Sequence, residues 1–183
     1  MSESLWSPDL YMAAYRFAAN AHLGQKVPGT DVSYIMHLSF VAMETMTTLA
    51  VEPKNNPDLA VQCAVLHDVI EDTDVTYEDV AERFGVDVAD GVLALTKDKD
   101  LPTKAEQMED SLNRLVQQPY EVQMVKLADR ICNLAPPPDY WKDKKRRYYQ
   151  KEAGIIYDAL HPASPHLSAR LTERIANYSQ YFT

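Results

Sequence analysis

Apolar residues along most of this chain recur every three to four positions, the spacing of helices that bury one face. In the first such segment, residues 8–23, the repeating apolar positions are Leu10, Ala13, Ala14, Phe17 and Ala21. No segment shows the sustained alternation of apolar and polar residues that is typical of half-buried strands. The pattern therefore predicts an all-α protein.

Capping residues followed by proline mark three helix starts, at Ser7-Pro8, Asn56-Pro57 and Ser164-Pro165. Thr76 with Asp79 matches a capping box for a short helix that Gly85 ends. Prolines 136–138 stop the helix before them. Residues 24–33 form the loop between the first two helices. The other predicted helices span residues 34–50, 57–71, 86–95, 102–117, 120–134, 140–160 and 165–181.

The segments follow one another without an internal repeat or a low-complexity linker. A chain of 183 residues is long enough to bury a substantial core. We therefore expect a single-domain helical bundle over residues 1–183, with a core at about 8–160 and a C-terminal helix at about 165–181. Its oligomeric state, monomer or homodimer, stays open.

The formal net charge of -9 argues against binding to a nucleic acid polymer, for which a basic surface is usual. It does not exclude a small phosphorylated substrate, because a metal ion and a few local cations can make one positive pocket. The longest basic run lies at residues 142–147. It is either a solvated helix face or a rim that attracts phosphate.

Cysteine usage and hydropathy indicate the compartment. Cys63 and Cys132 lie in apolar segments without metal-type spacing, which favours buried free thiols in a reducing environment. The chain has no uncharged apolar stretch of about 18 residues, and its start does not resemble a secretory leader. We therefore expect a cytoplasmic protein that does not enter a membrane.

The pair His67-Asp68 is followed four residues later by the pair Glu71-Asp72. Residues four apart share a helix face, so the pattern predicts two carboxylates stacked beside two potential metal ligands. A divalent cation would relieve the repulsion among these acids. The alternative is a solvated acidic helix end.

Two further residues can complete a metal site. His37 lies in the apolar segment YIMHLSFVA and Asp129 in MVKLADRICNL. A buried histidine is often only a core residue, but an ionised carboxylate in such a segment needs a partner. That partner is Lys126, Arg130 or a cation.

Together the candidate ligands are His37, His67, Asp68 and Asp129. This mixed nitrogen and oxygen set from three helices suits Mn²⁺, Fe²⁺ or Zn²⁺ with open positions for water and substrate. A metal held in this way lowers the pKa of its bound water. The set therefore predicts a hydrolase.

The order H…HD…D, with HDxxEDT at 67–73 and KLADRxxN at 126–133, resembles the HD-domain metal-dependent phosphohydrolases. The segments AHLGQ, YIMH, FGVDV and LTKD extend the resemblance over about residues 10–160. Within that family the pattern is similar to the hydrolase domains of RelA/SpoT alarmone enzymes and to the stand-alone small alarmone hydrolases.

This resemblance implies that the four ligands hold Mn²⁺. It also implies that Glu71 and Asp72 orient or deprotonate the attacking water and assist the leaving pyrophosphate. The implied reaction removes pyrophosphate from the 3′ position of ppGpp or pppGpp and gives GDP or GTP. The implied substrate contacts are Lys26, Lys126, Arg130, Asn133 and Tyr148.

The loop before His37 differs from the family pattern GQxRKSGEPYIxHP. It reads GQKVPGTDVSYIMHL, one residue longer, with Lys26 as its single basic residue and Leu38 in place of the proline. The difference leaves open an HD phosphohydrolase for another small nucleotide, such as a deoxynucleotide or the 2′-phosphate of NADPH. A third hypothesis, from another class, is a non-catalytic nucleotide-binding regulatory module.

Overall fold

Ten α-helices account for most of residues 5–182, the part of the chain that this computed structural model describes. Two short 3-10 turns, His161–Ala163 and Ser179–Tyr181, flank the last helix. The helices are α1 (Pro8–Ala21), α2 (Ile35–Val51), α3 (Pro57–Leu66), α4 (Val69–Asp72), α5 (Tyr77–Phe84), α6 (Val86–Leu95), α7 (Lys104–Leu115), α8 (Tyr120–Asn133), α9 (Asp143–Leu160) and α10 (Pro165–Tyr178).

The helix starts predicted from capping residues are present. Asn56 Oδ1 accepts a hydrogen bond from the Leu59 amide at 3.1 Å, and Ser164 Oγ accepts one from the Leu167 amide at 3.1 Å. Thr76 and Asp79 form the reciprocal capping box. These bonds satisfy amides that have no partner inside the helix. The all-α prediction is therefore confirmed.

Helix α8 lies at the centre of the molecule. Residues 121–131 of this helix are all buried, and it packs against α2, α3, α9 and α10. Because no face of α8 meets solvent along this stretch, its charged residues Lys126, Asp129 and Arg130 lie in the interior. Buried charges require partners, so α8 is a candidate location for a functional site.

The structure corrects one predicted element. Residues 57–71 were expected to form one helix, but α3 ends at Leu66 and α4 begins at Val69. His67 and Asp68 keep right-handed backbone angles (φ -55°, ψ -29° and φ -105°, ψ -1°), so the chain turns without an extended loop. Apolar spacing continues through this turn, and the sequence therefore gives no sign of it.

Cys63 and Cys132 are free thiols, as predicted, although Cys132 is only partly buried. Burial raises the pKa of both thiols, so they keep their protons. Within residues 5–182, none of the helices combines the length and the hydropathy needed to cross a bilayer.

Candidate active site

Three helical segments bring His37, His67 and Asp129 together. His37 lies on α2, His67 follows the last residue of α3, and Asp129 lies on α8. One side-chain ligand atom from each of them lies within 4.8 Å of the other two, and all three residues are buried. Residues far apart in the sequence meet here because α2, α3 and α8 pack against one another.

The distances in this cluster suit a shared ion. His37 Nε2 lies 3.3 Å from Asp129 Oδ1, and His67 Nε2 lies 3.8 Å from the same oxygen. Ligands about 2.1 Å from one metal lie about 3.0 Å apart at a right angle and somewhat farther apart at wider angles. The fourth predicted ligand, Asp68, places Oδ2 at 2.9 Å from His67 Nε2 and 3.8 Å from His37 Nε2.

The protonation of the histidines also fits a metal site. His67 Nδ1 lies 2.9 Å from the Ala64 carbonyl oxygen, which places a ring proton on Nδ1 and makes Nε2 the nitrogen that faces the cluster. Among the described residues, the buried Nε2 atoms of His37 and His67 have no partner in hydrogen-bond geometry. Their neighbours are the carboxylate oxygens of Asp68 and Asp129, and a cation between the two nitrogens and these oxygens would be coordinated by both kinds of ligand.

The carboxylates of the cluster are held in their charged form. Burial lowers the pKa of His67, but the charges of Asp68 and Asp129 outweigh it and raise that pKa to about 9. For Asp129, burial raises the pKa, and Lys126 with the two histidines outweighs it, so the pKa lies well below its usual range. Without a cation, a proton is therefore retained among these groups, and metal binding would displace it.

Each carboxylate of the cluster has a partner that orients it. Tyr34 Oη donates to Asp68 Oδ2 at 2.5 Å, and burial with the Asp68 charge raises the pKa of Tyr34, so the hydroxyl stays a donor. Asn133 Nδ2 donates to Asp129 Oδ1, while Lys126 Nζ lies 3.4 Å from Asp129 Oδ2. Lys126 is therefore one partner of the buried carboxylate, and the cluster leaves room for a cation as another.

The acidic pair lies on α4 and is held by a segment that the sequence analysis did not single out. Glu71 Oε2 accepts a hydrogen bond from the Lys97 amide at 3.0 Å. Lys99 Nζ donates to the Glu71 carbonyl oxygen and lies 3.3 Å from Asp72 Oδ1. The sequence signal for Lys97 is the segment LTKD at 95–98, which the family resemblance includes, and Lys99 follows that segment directly.

Lysine side chains lie beside this acidic pair. Burial, followed by the charge of Lys126, lowers the pKa of Lys97, and the charges of Glu71 and Asp129 partly oppose this shift. The Lys97 ammonium therefore interacts electrostatically with Glu71 of the acidic pair and with Asp129 of the metal cluster. The buried Lys126 and the partly buried Lys97 can therefore bind phosphate groups in a protein of net negative charge.

A cavity of about 180 Å³ adjoins the metal cluster. Its wall includes His37 and Asn133, which also border the cluster, together with Phe40 and the loop residues Val27 and Pro28. Prolines 136–138 close another side. The predicted contact Asn133 is thus placed between the cluster and an apolar chamber.

The other predicted substrate contacts, Lys26, Lys126, Arg130 and Tyr148, do not line this cavity. Lys26 Nζ pairs with Asp31 Oδ1 at 2.5 Å, and the Lys26 side chain is 55 % exposed. Tyr148 is 40 % exposed and lines a groove between α7 and α9, whereas Tyr149 lines the cavity beside the cluster. The Arg130 guanidinium lies 4.4 Å from the centre of the Tyr149 ring.

The basic run at 142–147 packs on aromatic rings. Lys145 Nζ lies 3.8 Å from the centre of the Trp141 ring, and the Arg147 guanidinium lies 4.7 Å from that of Phe182. Arg146 Nη1 donates to the Tyr181 carbonyl oxygen at 2.7 Å. Arg146 and Arg147 therefore tie α9 to the C-terminal residues, whereas Lys145 packs on a residue just before the helix.

A family model described as HD domain matches residues 14–165 of this chain. The chain belongs to the HD domain family. A relative from Drosophila melanogaster, named guanosine-3′,5′-bis(diphosphate) 3′-pyrophosphohydrolase, is 30 % identical over 168 residues, which cover 89 % of this chain and 91 % of the relative. A relative from Escherichia coli K12, named bifunctional (p)ppGpp synthase/hydrolase SpoT, is 34 % identical over 158 residues, which cover 84 % of this chain and 22 % of that HD protein.

A solved structure is similar over the whole HD domain. It is described as a metazoan ortholog of SpoT that hydrolyses ppGpp, and it superposes with a TM-score of 0.80 at 28 % identity, covering 98 % of each chain. The predicted resemblance and the predicted single HD-domain bundle are therefore confirmed. Family membership and the His37, His67 and Asp129 cluster together indicate a divalent metal site.

Proposed function

We propose that this protein is a Mn²⁺-dependent hydrolase that removes pyrophosphate from the 3′ position of ppGpp and pppGpp. The observation that carries the proposal is the buried His37, His67 and Asp129 cluster, which lies beside an acidic pair in the order that this family uses. The names of the relatives from Drosophila and Escherichia coli support the same activity.

The donor set supports a first-row divalent ion. His37, His67, Asp68 and Asp129 offer imidazole nitrogen and carboxylate oxygen, a set that suits Mn²⁺ and also accepts Fe²⁺ or Zn²⁺. When bound, such an ion polarises a phosphoryl oxygen and lowers the pKa of a water molecule. The two carboxylates would reduce the net charge of a bound ion, and the hydrogen bonds from Tyr34 and Asn133 orient these carboxylates.

The acidic pair handles the protons of the reaction. A water oxygen forms a bond to the phosphorus attached to the 3′ oxygen, and the bond between that phosphorus and the 3′ oxygen breaks. Glu71, held by the Lys97 amide, orients the water and accepts its proton. Asp72, beside Lys99, assists departure of the products, in which one proton must reach the ribose 3′ oxygen.

The cations around the acidic pair bind the phosphates. Lys126 and the partly buried Lys97 lie near Glu71 and Asp129, so they stabilise the charge of the departing pyrophosphate. Asn133 contacts the nucleotide where the cluster meets the cavity. Lys26, Arg130 and Tyr148 stay predictions from the resemblance, and Tyr149 is the aromatic residue that the cavity offers instead.

The loop at residues 24–33 favours a second candidate, an HD phosphohydrolase for another small nucleotide. Lys26 is the single basic residue of this loop, and its ammonium pairs with Asp31. The loop contributes Val27 and Pro28 to the cavity wall, which are apolar. A deoxynucleotide or the 2′-phosphate of NADPH would then be the substrate, with the same metal chemistry.

A substrate panel separates these candidates. The Mn²⁺-loaded protein is incubated with ppGpp, pppGpp, deoxynucleoside triphosphates and NADPH, and released pyrophosphate and phosphate are measured separately. We expect equimolar pyrophosphate and GDP from ppGpp. Intact ppGpp together with phosphate release from NADPH would favour the second candidate. Bound metal without turnover of any nucleotide would favour the non-catalytic module. The cytoplasmic location, which this panel does not address, stays a prediction.

A further inference from the structure

Helix α4 carries the acidic pair but consists of a single turn, Val69–Asp72. One helical turn fixes several backbone angles for very few hydrogen bonds, so it is not stable by itself. Side chains from two other segments bind its last carbonyl oxygens. Lys99 Nζ donates to the Glu71 carbonyl, and Gln25 Nε2 donates to the Asp72 carbonyl at 2.6 Å. The direction of the acidic side chains therefore depends on these outside contacts.

Gln25 is itself oriented by His22. His22 is 2 % exposed, and its Nδ1 lies 2.8 Å from Gln25 Oε1. Because the Gln25 amide nitrogen donates to Asp72, the amide oxygen faces the histidine and accepts, so His22 Nδ1 carries the ring proton. Within residues 5–182, the buried His22 Nε2 has no hydrogen-bond partner. The contact that accounts for this polar ring in the interior is the one to Gln25.

Gln25 is also linked, through Tyr34, to Asp68, the residue just before α4. The Tyr34 amide donates to the Gln25 carbonyl oxygen at 3.0 Å, and the Tyr34 hydroxyl donates to Asp68 Oδ2. The rings of His22 and Tyr34 lie 5.1 Å apart. One connected group of side chains thus fixes Asp68 at the start of the segment and Asp72 at its end.

We propose that His22 and Gln25 are positioning residues, which hold the end of α4 so that Glu71 and Asp72 face the metal cluster. Their role in turnover rests on the proposed hydrolysis. Neither residue is a candidate metal ligand, and Gln25 acts through the backbone of Asp72. Removing a partner that orients an active-site group typically costs about 10- to 100-fold in activity.

The first test removes the amide of Gln25. Gln25→Met keeps the length of the side chain but cannot donate to Asp72. Gln150→Met is the matched control, because Gln150 Nε2 donates to the Ile175 carbonyl oxygen at 2.7 Å, away from the cluster. We expect kcat for ppGpp to fall about 10- to 100-fold in Gln25→Met, with KM and Mn²⁺ content close to those of the control. A raised KM with unchanged kcat would make Gln25 a substrate contact and overturn the proposal.

The second test asks whether His22 acts as a donor. In His22→Asn the amide nitrogen takes the place of Nδ1 and can still donate to Gln25, whereas His22→Ala cannot. We expect His22→Asn to recover most of the activity that His22→Ala loses. Equal losses in the two variants at equal thermal stability would overturn the donor role.

A third measurement does not depend on the substrate. Amide hydrogen exchange of peptides covering residues 69–73 should be faster in Gln25→Met than in Gln150→Met, both with and without Mn²⁺. Faster exchange in a protein whose wild type leaves ppGpp intact would reject the proposed function and keep the positioning role. Unchanged exchange and unchanged kcat in an active protein would reject the positioning role alone.

Discussion

The metal cluster and the cavity beside it share His37, yet they are built in different ways. In the cluster, side chains project from packed helices, and each carboxylate has a defined partner, Tyr34 for Asp68 and Asn133 for Asp129. In the cavity, helices form part of the wall, and the loop at 24–33 and prolines 136–138 form another part. These two connections therefore contribute to the cavity and supply none of the candidate metal ligands.

This difference separates chemistry from recognition. A substitution in the cluster disturbs a buried helix junction, so it affects the metal and the reaction together. A substitution in the loops changes the shape of the cavity without moving α2, α3 or α8. Loops tolerate sequence change better than the helices that they connect. We therefore expect the reaction type to be fixed by the fold and the nucleotide preference to be set by the loops.

The largest effect should come from His67→Ala, which tests whether the cluster carries both metal binding and the reaction. The variant removes one nitrogen ligand, so we expect turnover to fall to background and bound Mn²⁺ to be lost. In wild-type protein, EDTA should lower the thermal midpoint, because metal at 100 times its Kd adds about 2.7 kcal/mol to folding stability. The EDTA effect should be absent from His67→Ala and present in His161→Ala, which changes an exposed histidine. An equal EDTA shift in both variants would remove His67 from the site.

Glu71→Gln should give the next largest effect and separates metal binding from proton transfer. The amide keeps the shape of the side chain but cannot accept the proton of the attacking water. We expect metal content to stay as in the wild type while kcat falls about 10²- to 10⁴-fold. Glu78→Gln on α5 is the control, since Glu78 is an exposed acid in the next helix. Equal kcat values for the two variants would rule out the role of Glu71.

The sequence predicted the cluster better than its surroundings. His67 was predicted from its place beside Asp68 and the acidic pair, and His37 and Asp129 from their positions in apolar segments; the structure brings these three side chains together. The turn at residues 67–68 was missed, since apolar residues continue on both sides of it. Lys97 and Lys99 were missed because their roles depend on a tertiary contact with α4.

The prediction at the aromatic position shows a second limit of sequence patterns. A resemblance can point to an aromatic residue near 148, but one helical step turns the side chain by about 100°. The structure places Tyr148 in the groove between α7 and α9 and Tyr149 in the cavity. Helix packing decides which of the two adjacent tyrosines faces the cavity. The local sequence does not distinguish them, because both lie in the same short segment.

A smaller effect is expected from Tyr34→Phe, because Tyr34 contacts both the cluster and the cavity. Tyr34 lines the cavity and donates to the cluster carboxylate Asp68, so its hydroxyl belongs to the chemistry and its ring to recognition. Loss of the hydroxyl should weaken Mn²⁺ affinity or kcat about 10- to 100-fold with little change in KM. Calorimetric titration with Mn²⁺ and steady-state kinetics measure the two quantities. Tyr15→Phe removes the hydroxyl that contacts Ser39 Oγ at 3.0 Å and should leave both unchanged.

The smallest effect, and one confined to the cavity, is expected from Gly29→Ala. Gly29 has φ of +80°, and a Cβ there would lie 3.0 Å from Pro138 Cβ and 3.3 Å from the Tyr140 ring. Gly85 also has a positive φ, +92°, but a Cβ there would meet no atom within 4 Å. Both alanine variants should lose about 1 to 3 kcal/mol of folding stability through backbone strain. Only Gly29→Ala should push the loop away from the proline wall and raise KM several-fold, with kcat and Mn²⁺ affinity retained. Equal KM values in the two variants would show that the loop at 24–33 does not shape substrate binding. They would contradict the view that the helices set the reaction type while the loops set the nucleotide preference.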